Sequence, residues 1–171
     1  MSKTLSTQFN VQLSGTYAKT ADFSSPTALI LRTLSDSLAN GTGLDQADLC
    51  FADQRTLGAT TAETLDLSGS LTDDFGDTLA FARIKGIIIA LNTTTAGYTL
   101  EIGGAASNQF AAIVGDGASD KIIVRAGGFL ILWAPDATAY AVTNSASDLL
   151  KINNPNAASI IYDIILIGCS A

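Results

Sequence analysis

A chain without histidine cannot build a Ser-His-Asp or Cys-His nucleophile, a His-Cys zinc site or a facial-triad iron site. The 171 residues here contain none. The chemistry left to it is that of carboxylates. Asp45, Asp48, Asp53, Glu63 and Asp66 lie close in sequence, and two such groups facing a cleft are the acid and base of a glycosidase. Sixteen acidic residues make pairs of this kind easy to find, so strand edges and turn caps are their expected role. The loop Asp73-Asp74-Phe75-Gly76-Asp77 gathers hard oxygen ligands around a glycine, as calcium sites do. It lacks the alternating ligands and the twelfth-position Glu of an EF-hand, and Asx-turns account for it. Gly103-Gly104 and Gly127-Gly128 read as bends, because neither opens a helix in the manner of a dinucleotide fingerprint. Trp133, Tyr140 and Tyr162 could form a sugar-stacking platform if exposed together, but Trp133 sits in the apolar run Phe129–Trp133 and is expected in a core or interface. Cys50 and Cys169 belong to no ligand or redox spacing and are expected as small buried hydrophobes. No catalytic residue, metal or cofactor is therefore expected, and the chain is not expected to be an enzyme.

Charge narrows the partners. Formal net charge is −7, and the nine Lys and Arg are scattered without a basic stripe. Nucleic acid and an anionic membrane surface are both disfavoured, since each needs clustered cations. The longest aliphatic runs, Ile87–Leu91 and Phe129–Trp133, fall far short of the roughly 20 residues that cross a bilayer. The first residues alternate polar and apolar where a signal peptide would be continuously apolar, so synthesis in a cytoplasm is expected.

The elements that must position any site read as strands. Thr7, Phe9, Val11 and Leu13 alternate with polar residues, and a loop from Gly15 to Pro26 follows. Residues 28–38 fit a helix face through Leu31, Leu34 and Leu38, or a strand, which is favoured. Asn40-Gly41 predicts a hairpin turn. Further strands are expected at 47–57, 63–67, 78–91, 98–102, 110–114, 121–125, 129–133, 140–143, 149–152 and 160–168, separated by Gly, Asn and Asp turns. That pattern predicts an all-β fold, a jelly-roll-like β-sandwich. Residues 1–26 form an N-terminal strand or arm with its hinge within Thr16–Pro26, and 27–171 form the sandwich.

Two strands point to assembly. In Phe81–Leu91, Ala82, Ile84, Gly86, Ile88 and Ala90 make one apolar face, while the other passes from Arg83 and Lys85 to Ile87, Ile89 and Leu91. Ile160–Cys169 places Tyr162, Ile164 and Leu166 on one side and Ile161, Ile165 and Ile167 on the other, interrupted by Asp163. An antiparallel sheet keeps one face in water, so a strand apolar on both faces needs a second cover. A second subunit is the economical one, and mean hydropathy of +0.33 agrees. Arg83, Lys85, Ile87, Ile89, Leu91, Asp163, Ile165 and Ile167 are the expected oligomer interface. Thr7, Phe9, Val11 and Leu13 are the residues an N-terminal arm would use to grip another chain, by strand addition to a sheet edge.

Several phrases resemble the small decoration, or cement, proteins of tailed bacteriophages. They include Leu34–Gly43, Gln46–Leu49, Arg55–Leu57, Leu65–Gly69, Phe75-Gly76, Phe81–Lys85, Val124–Gly128 and Ala134–Asp136, with a weaker likeness at Tyr162–Ile164. The resemblance implies a homotrimer that binds the major capsid protein on the outer surface of the virion and stabilises the shell. Thr7, Phe9, Val11 and Leu13 would then belong to a capsid-contacting arm. Other readings of the same β-rich chain are a trimeric tail-fibre or spike receptor-binding domain and a carbohydrate-binding β-sandwich module.

Overall fold

Period-2 alternation broken by Gly, Asn and Asp becomes strand almost everywhere in the computed structural model, which describes residues 3–171. In chain order the strands are β1 (Thr7–Ala18), β2 (Thr27–Asn40), β3 (Gln46–Ala47), β4 (Leu49–Leu57), β5 (Ala62–Asp66), β6 (Leu71–Thr72) and β7 (Thr78–Leu79). They continue as β8 (Arg83–Leu91), β9 (Thr99–Gly103), β10 (Lys121–Arg125), β11 (Phe129–Trp133), β12 (Tyr140–Ala141), β13 (Leu149–Asn153) and β14 (Ile160–Cys169).

Nine strands form a sandwich. One sheet runs β11-β8-β14-β4, with β12 also on β8, and the other runs β10-β9-β13-β5. Neighbours in both are antiparallel. The facing sides interlock Phe51, Ile87, Ile89, Tyr162, Ile164 and Leu166 of the first sheet with Leu65, Leu100, Ile102, Val124, Leu150 and Ile152 of the second. The small β6–β7 pair adds Leu71 and Leu79 to the same core. Each such side chain stabilises the fold by about 1.5–3 kcal/mol.

A β-bulge decides which residues of β8 are inside. Gly168 pairs with Ile84 and Ile167 with Gly86, leaving Lys85 as the extra residue. The bulge shifts parity, so Ile84 joins Ile87, Ile89 and Leu91 in the core. The expected face of Ile84, Gly86, Ile88 and Ala90 is thereby broken.

Two local expectations also change. Residues 110–114, expected as a strand, hold the single helical turn α1 (Ala111–Val114). Ala111 and Ala112 favour helix, and the turn hangs from fully buried Phe110. Asn40-Gly41 does not close a hairpin. The chain loops and returns parallel to itself, with Ala39 opposite Gln46, and Gln46 Oε1 accepts the Gly43 N–H at 2.9 Å. A Cβ on Gly41 would lie 2.5 Å from that amide, and its φ of +139° is one that L-residues rarely adopt.

β1 and β2 are antiparallel partners from Thr7↔Leu38 to Ala18↔Thr27. Twelve pairs at about 3.4 Å each make a ribbon roughly 40 Å long. Leu38 is buried at its base with Ala47 and Ile167. Every residue from Gln12 to Ser35 is exposed, so the ribbon projects from the body. Gly15–Ala18, expected in a loop, continues β1, and a division at residue 26 falls at the ribbon's tip. The unit that leaves the body is a hairpin containing both strands.

Candidate interaction surface

Directly paired residues of an antiparallel sheet share a face, so the registers give the outside of the β11-β8-β14-β4 sheet row by row. Phe129, Ala90, Asp163 and Gln54 form one row; Ile131, Ile88, Ile165 and Ala52 the next; Trp133, Gly86, Ile167 and Cys50 the third. The outside of the other sheet is polar apart from exposed Ile123, with Lys121 bound to Glu101 at 2.8 Å and Glu101 accepting from Asn153 Nδ2 at 2.8 Å. One sheet thus has the hydrated face expected of antiparallel structure and the other does not.

The hairpin rises from this apolar face. Phe9 stacks on Trp133 with ring centroids 4.5 Å apart, and Trp133 Nε1 donates to Asp36 Oδ2 at 2.7 Å. Gly86 makes room, since a Cβ there would sit 2.9 Å from the indole. Beyond this anchor an open groove runs between Phe9, Val11 and Leu34 of the hairpin and Phe129, Ile131 and Trp133 of the sheet. The hairpin face that begins with Phe9 stays apolar outward, through Val11 with Leu34, Leu13 with Arg32, Gly15 with Ile30 and Tyr17 with Ala28. Its other face is polar near the body, at Gln8, Asn10 and Gln12, and mixed toward the tip, where Leu31 and Leu29 stand opposite Ser14 and Thr16. Leu13, Tyr17, Leu29 and Leu31 remain 63%, 75%, 82% and 68% exposed.

The expected interface residues divide. Ile87, Ile89 and Leu91 are inside the chain's own core and cannot meet a partner. Lys85 is fully buried, its Nζ donating to the carbonyls of Gly43 (2.5 Å) and Pro135 (3.0 Å). Arg83 donates to the carbonyls of Ala137 (2.7 Å), Thr42 (3.4 Å) and Ala171. Both cations therefore tie loops and terminus to β8. Asp163, Ile165 and Ile167 do lie on the outer face, with Ile167 covered by the hairpin base. Of the expected arm residues, Phe9, Val11 and Leu13 line the apolar hairpin face, and Thr7 stands in the same alternation at its root. Alternation does not single out Ile88 or Ile131: the first depends on the bulge at Lys85 and the second on the pairing of β11 with β8.

The carboxylates are used as ties. Tyr162 Oη donates to Glu63 Oε1 at 2.7 Å, and Arg55 donates through Nε to Glu63 Oε2 and through Nη1 to Asp53 Oδ2, each at 2.7 Å. This set joins β4 and β14 of one sheet to β5 of the other. Asp48 accepts from Ser170, and Asp66 from Ser68. Asp45 donates its backbone N–H to the Pro135 carbonyl at 2.9 Å. Burial first, then the hydrogen bond to Glu63, pushes the Tyr162 phenol above its ordinary value of about 10. A raised folded-state pKa means stability that is complete below pH 10 and lost as pH rises further. Tyr162→Phe is expected to flatten that alkaline loss, read from melting temperatures between pH 9 and 11. An unchanged slope would remove Tyr162 as its source.

In the Asp73 loop, Oδ1 of Asp73 accepts the N–H groups of Phe75 (3.0 Å) and Asp77 (2.9 Å), and Lys3 pairs with both Asp73 and Asp77. The hydrogen bond from Lys3, with those turn N–H groups, holds the Asp73 carboxyl below the usual range. Among the described residues no cluster of Cys, Asp and Glu is arranged to hold a metal ion. A calcium chelator is expected to leave the melting temperature unchanged. A fall of several degrees would assign the loop to a cation.

Cys50 and Cys169 are free thiols, Cys169 buried and Cys50 partly so, and burial pushes both upward in pKa. No helix among the described residues is long and apolar enough to cross a membrane. No protein-family model, curated protein or solved structure compared with the chain matches it.

Proposed function

We propose that the chain is a structural virion protein, a decoration protein that binds the major capsid protein on the outside of a phage capsid as a homotrimer and stabilises the shell. The observation that carries this reading is the projecting hairpin, whose outer half exposes Leu13, Tyr17 and Ile30 on one face and Leu29 and Leu31 on the other, uncovered by its own chain. Apolar surface of this extent marks an interaction site, and two such faces suit a ribbon held between two partners. The strand orders of the two sheets fit the double Greek key of a jelly roll, the fold that the strand pattern predicts. The ties made by the carboxylates leave the loops and edges rigid, which suits a clamp that must lose little entropy on docking. A trimer engages its support at three points, so weak attachments act together.

Co-sedimentation with empty capsids built from the major capsid protein tests the proposal. Saturable binding, with a higher capsid melting temperature, is expected. Folded protein that does not bind at micromolar concentration would overturn it.

A further inference from the structure

From these two uncovered surfaces we infer that the hairpin of one protomer lies across the outer sheet face of a second copy, with Arg32 of the hairpin meeting Asp163 of the neighbour. The inference deepens the proposed homotrimer and rests on the chain assembling with itself.

Three observations select a second copy as the occupant. The first is chemical match within one chain. The hairpin face of Val11, Leu13, Tyr17, Ile30 and Leu34 is an apolar strip, and the sheet face around Ile88, Ile131 and Ile165 is an apolar floor. The hairpin stands off its own floor beyond Val11 and Leu34, so neither surface covers the other within the protomer. The second is charge. Beyond the hairpin base the strip carries a single charge, Arg32, and the three rows of the floor carry a single charge, Asp163. The signs are opposite, and neither residue makes an ion pair among the described residues. Hydrogen bonds from the side chains of Asn92 and Gln54 lower the pKa of Asp163, and its carboxylate lies within Phe129's row. The third is extent. Leu13, Tyr17, Ile30, Leu34 and Phe129 are each between 49% and 75% exposed. Apolar side chains exposed to this degree on both surfaces mark an interaction site.

A strip on one copy meeting a floor on the next is a heterologous contact, which closes into a ring where the rotation between copies closes, as a trimer requires. Each protomer then gives one hairpin and receives one, leaving Leu29 and Leu31 on the opposite side of the ribbon free for another support.

Charge reversal tests the pairing, using the full chain at a series of dilutions in light scattering. Arg32→Asp and Asp163→Lys are each expected to raise the concentration at which the oligomer dissociates by about five- to thirtyfold, the range that 1–2 kcal/mol produces. The double reversal is expected to return most of that loss. Asp163→Asn is a milder companion, expected to weaken the oligomer less than Asp163→Lys. A wild-type protein that is monomeric at micromolar concentration, single reversals without effect, or a double variant no better than the weaker single would each overturn the inference. Capsid binding measured in parallel separates it from the decoration reading. An oligomer that obeys the charge cycle but ignores capsids keeps this inference and loses that one, whereas a capsid-binding monomer does the reverse.

Discussion

Aspartate in place of Ile87 is expected to leave no folded protein, while aspartate in place of Ile88, the next residue, is expected to leave a folded one that no longer assembles. Ile87 is completely buried between the two sheets. Its replacement removes a buried side chain, which costs about 2–5 kcal/mol with the cavity left behind. It also leaves a carboxyl group with no partner, which adds several kcal/mol whether the group stays charged or is forced to protonate. The sum is of the same size as the entire stability of an ordinary domain, about 5–15 kcal/mol. Ile88 has the opposite orientation. It stands in the middle row of the outer face between Ile131 and Ile165, already in partial contact with water. A charge there costs the fold little and spoils the floor for a neighbour's hairpin. Circular dichroism melts and light scattering read the two outcomes. A cooperative melt from Ile87→Asp, or an oligomer from Ile88→Asp, would contradict the assignment of faces.

That pair of residues also marks how far the sequence could be read. Strands are local, and those at Lys121–Arg125 and Phe129–Trp133 have the bounds that the flanking glycine turns predict. Which face of a strand is buried is not local once a bulge intervenes. The extra residue at Lys85 is defined only by the pairing of β8 with β14, far away in sequence, so Ile87 and Ile88 were assigned to the wrong sides. β14 is in register with β4 throughout, and its division into Tyr162, Ile164 and Leu166 inside against Ile165 and Ile167 outside followed directly from alternation. The hairpin was half legible for a similar reason. Alternation marks the first of its strands, the second fits a helix face as well as a strand, and the connection between them lacks the short Asn-Gly or Asp-Gly signature that would have announced their pairing. The polar loop from Lys19 to Pro26, closed by the Lys19 N–H to the Pro26 carbonyl at 3.1 Å, reads equally well as a hinge. The groove beside Trp133 needed three elements brought together by tertiary structure. Only the apolar character of each was visible beforehand.

Excising the outer hairpin is expected to separate folding from assembly more sharply than any truncation. Removing Gln12–Thr33 and joining Val11 to its cross-strand partner Leu34 through an Asn-Gly turn keeps the hairpin base intact. Phe9 remains on Trp133, Asp36 still accepts from the indole, and Leu38 stays buried. Everything removed is solvent-exposed. The melting temperature of the body is therefore expected to move by no more than about 4 °C, the shift that about 1 kcal/mol causes in a domain of this size. Assembly is expected to fail, because Leu13, Tyr17, Ile30 and Arg32 leave together. Capsid binding is expected to weaken by about a hundredfold or more as the several attachments of the oligomer become one. A truncation beginning at Ser24 would not discriminate as well, since it removes Phe9 from Trp133 and strips β2 of its antiparallel partner β1. Loss of folding there could come from the base alone. If the excised protein instead fails to fold, the outer hairpin contributes to the body in a way its exposure does not reveal. If it assembles and binds capsids as tightly as the full chain, the projecting hairpin is not the adhesive element, and the interface must lie on surfaces other than the strip from Val11 to Tyr17.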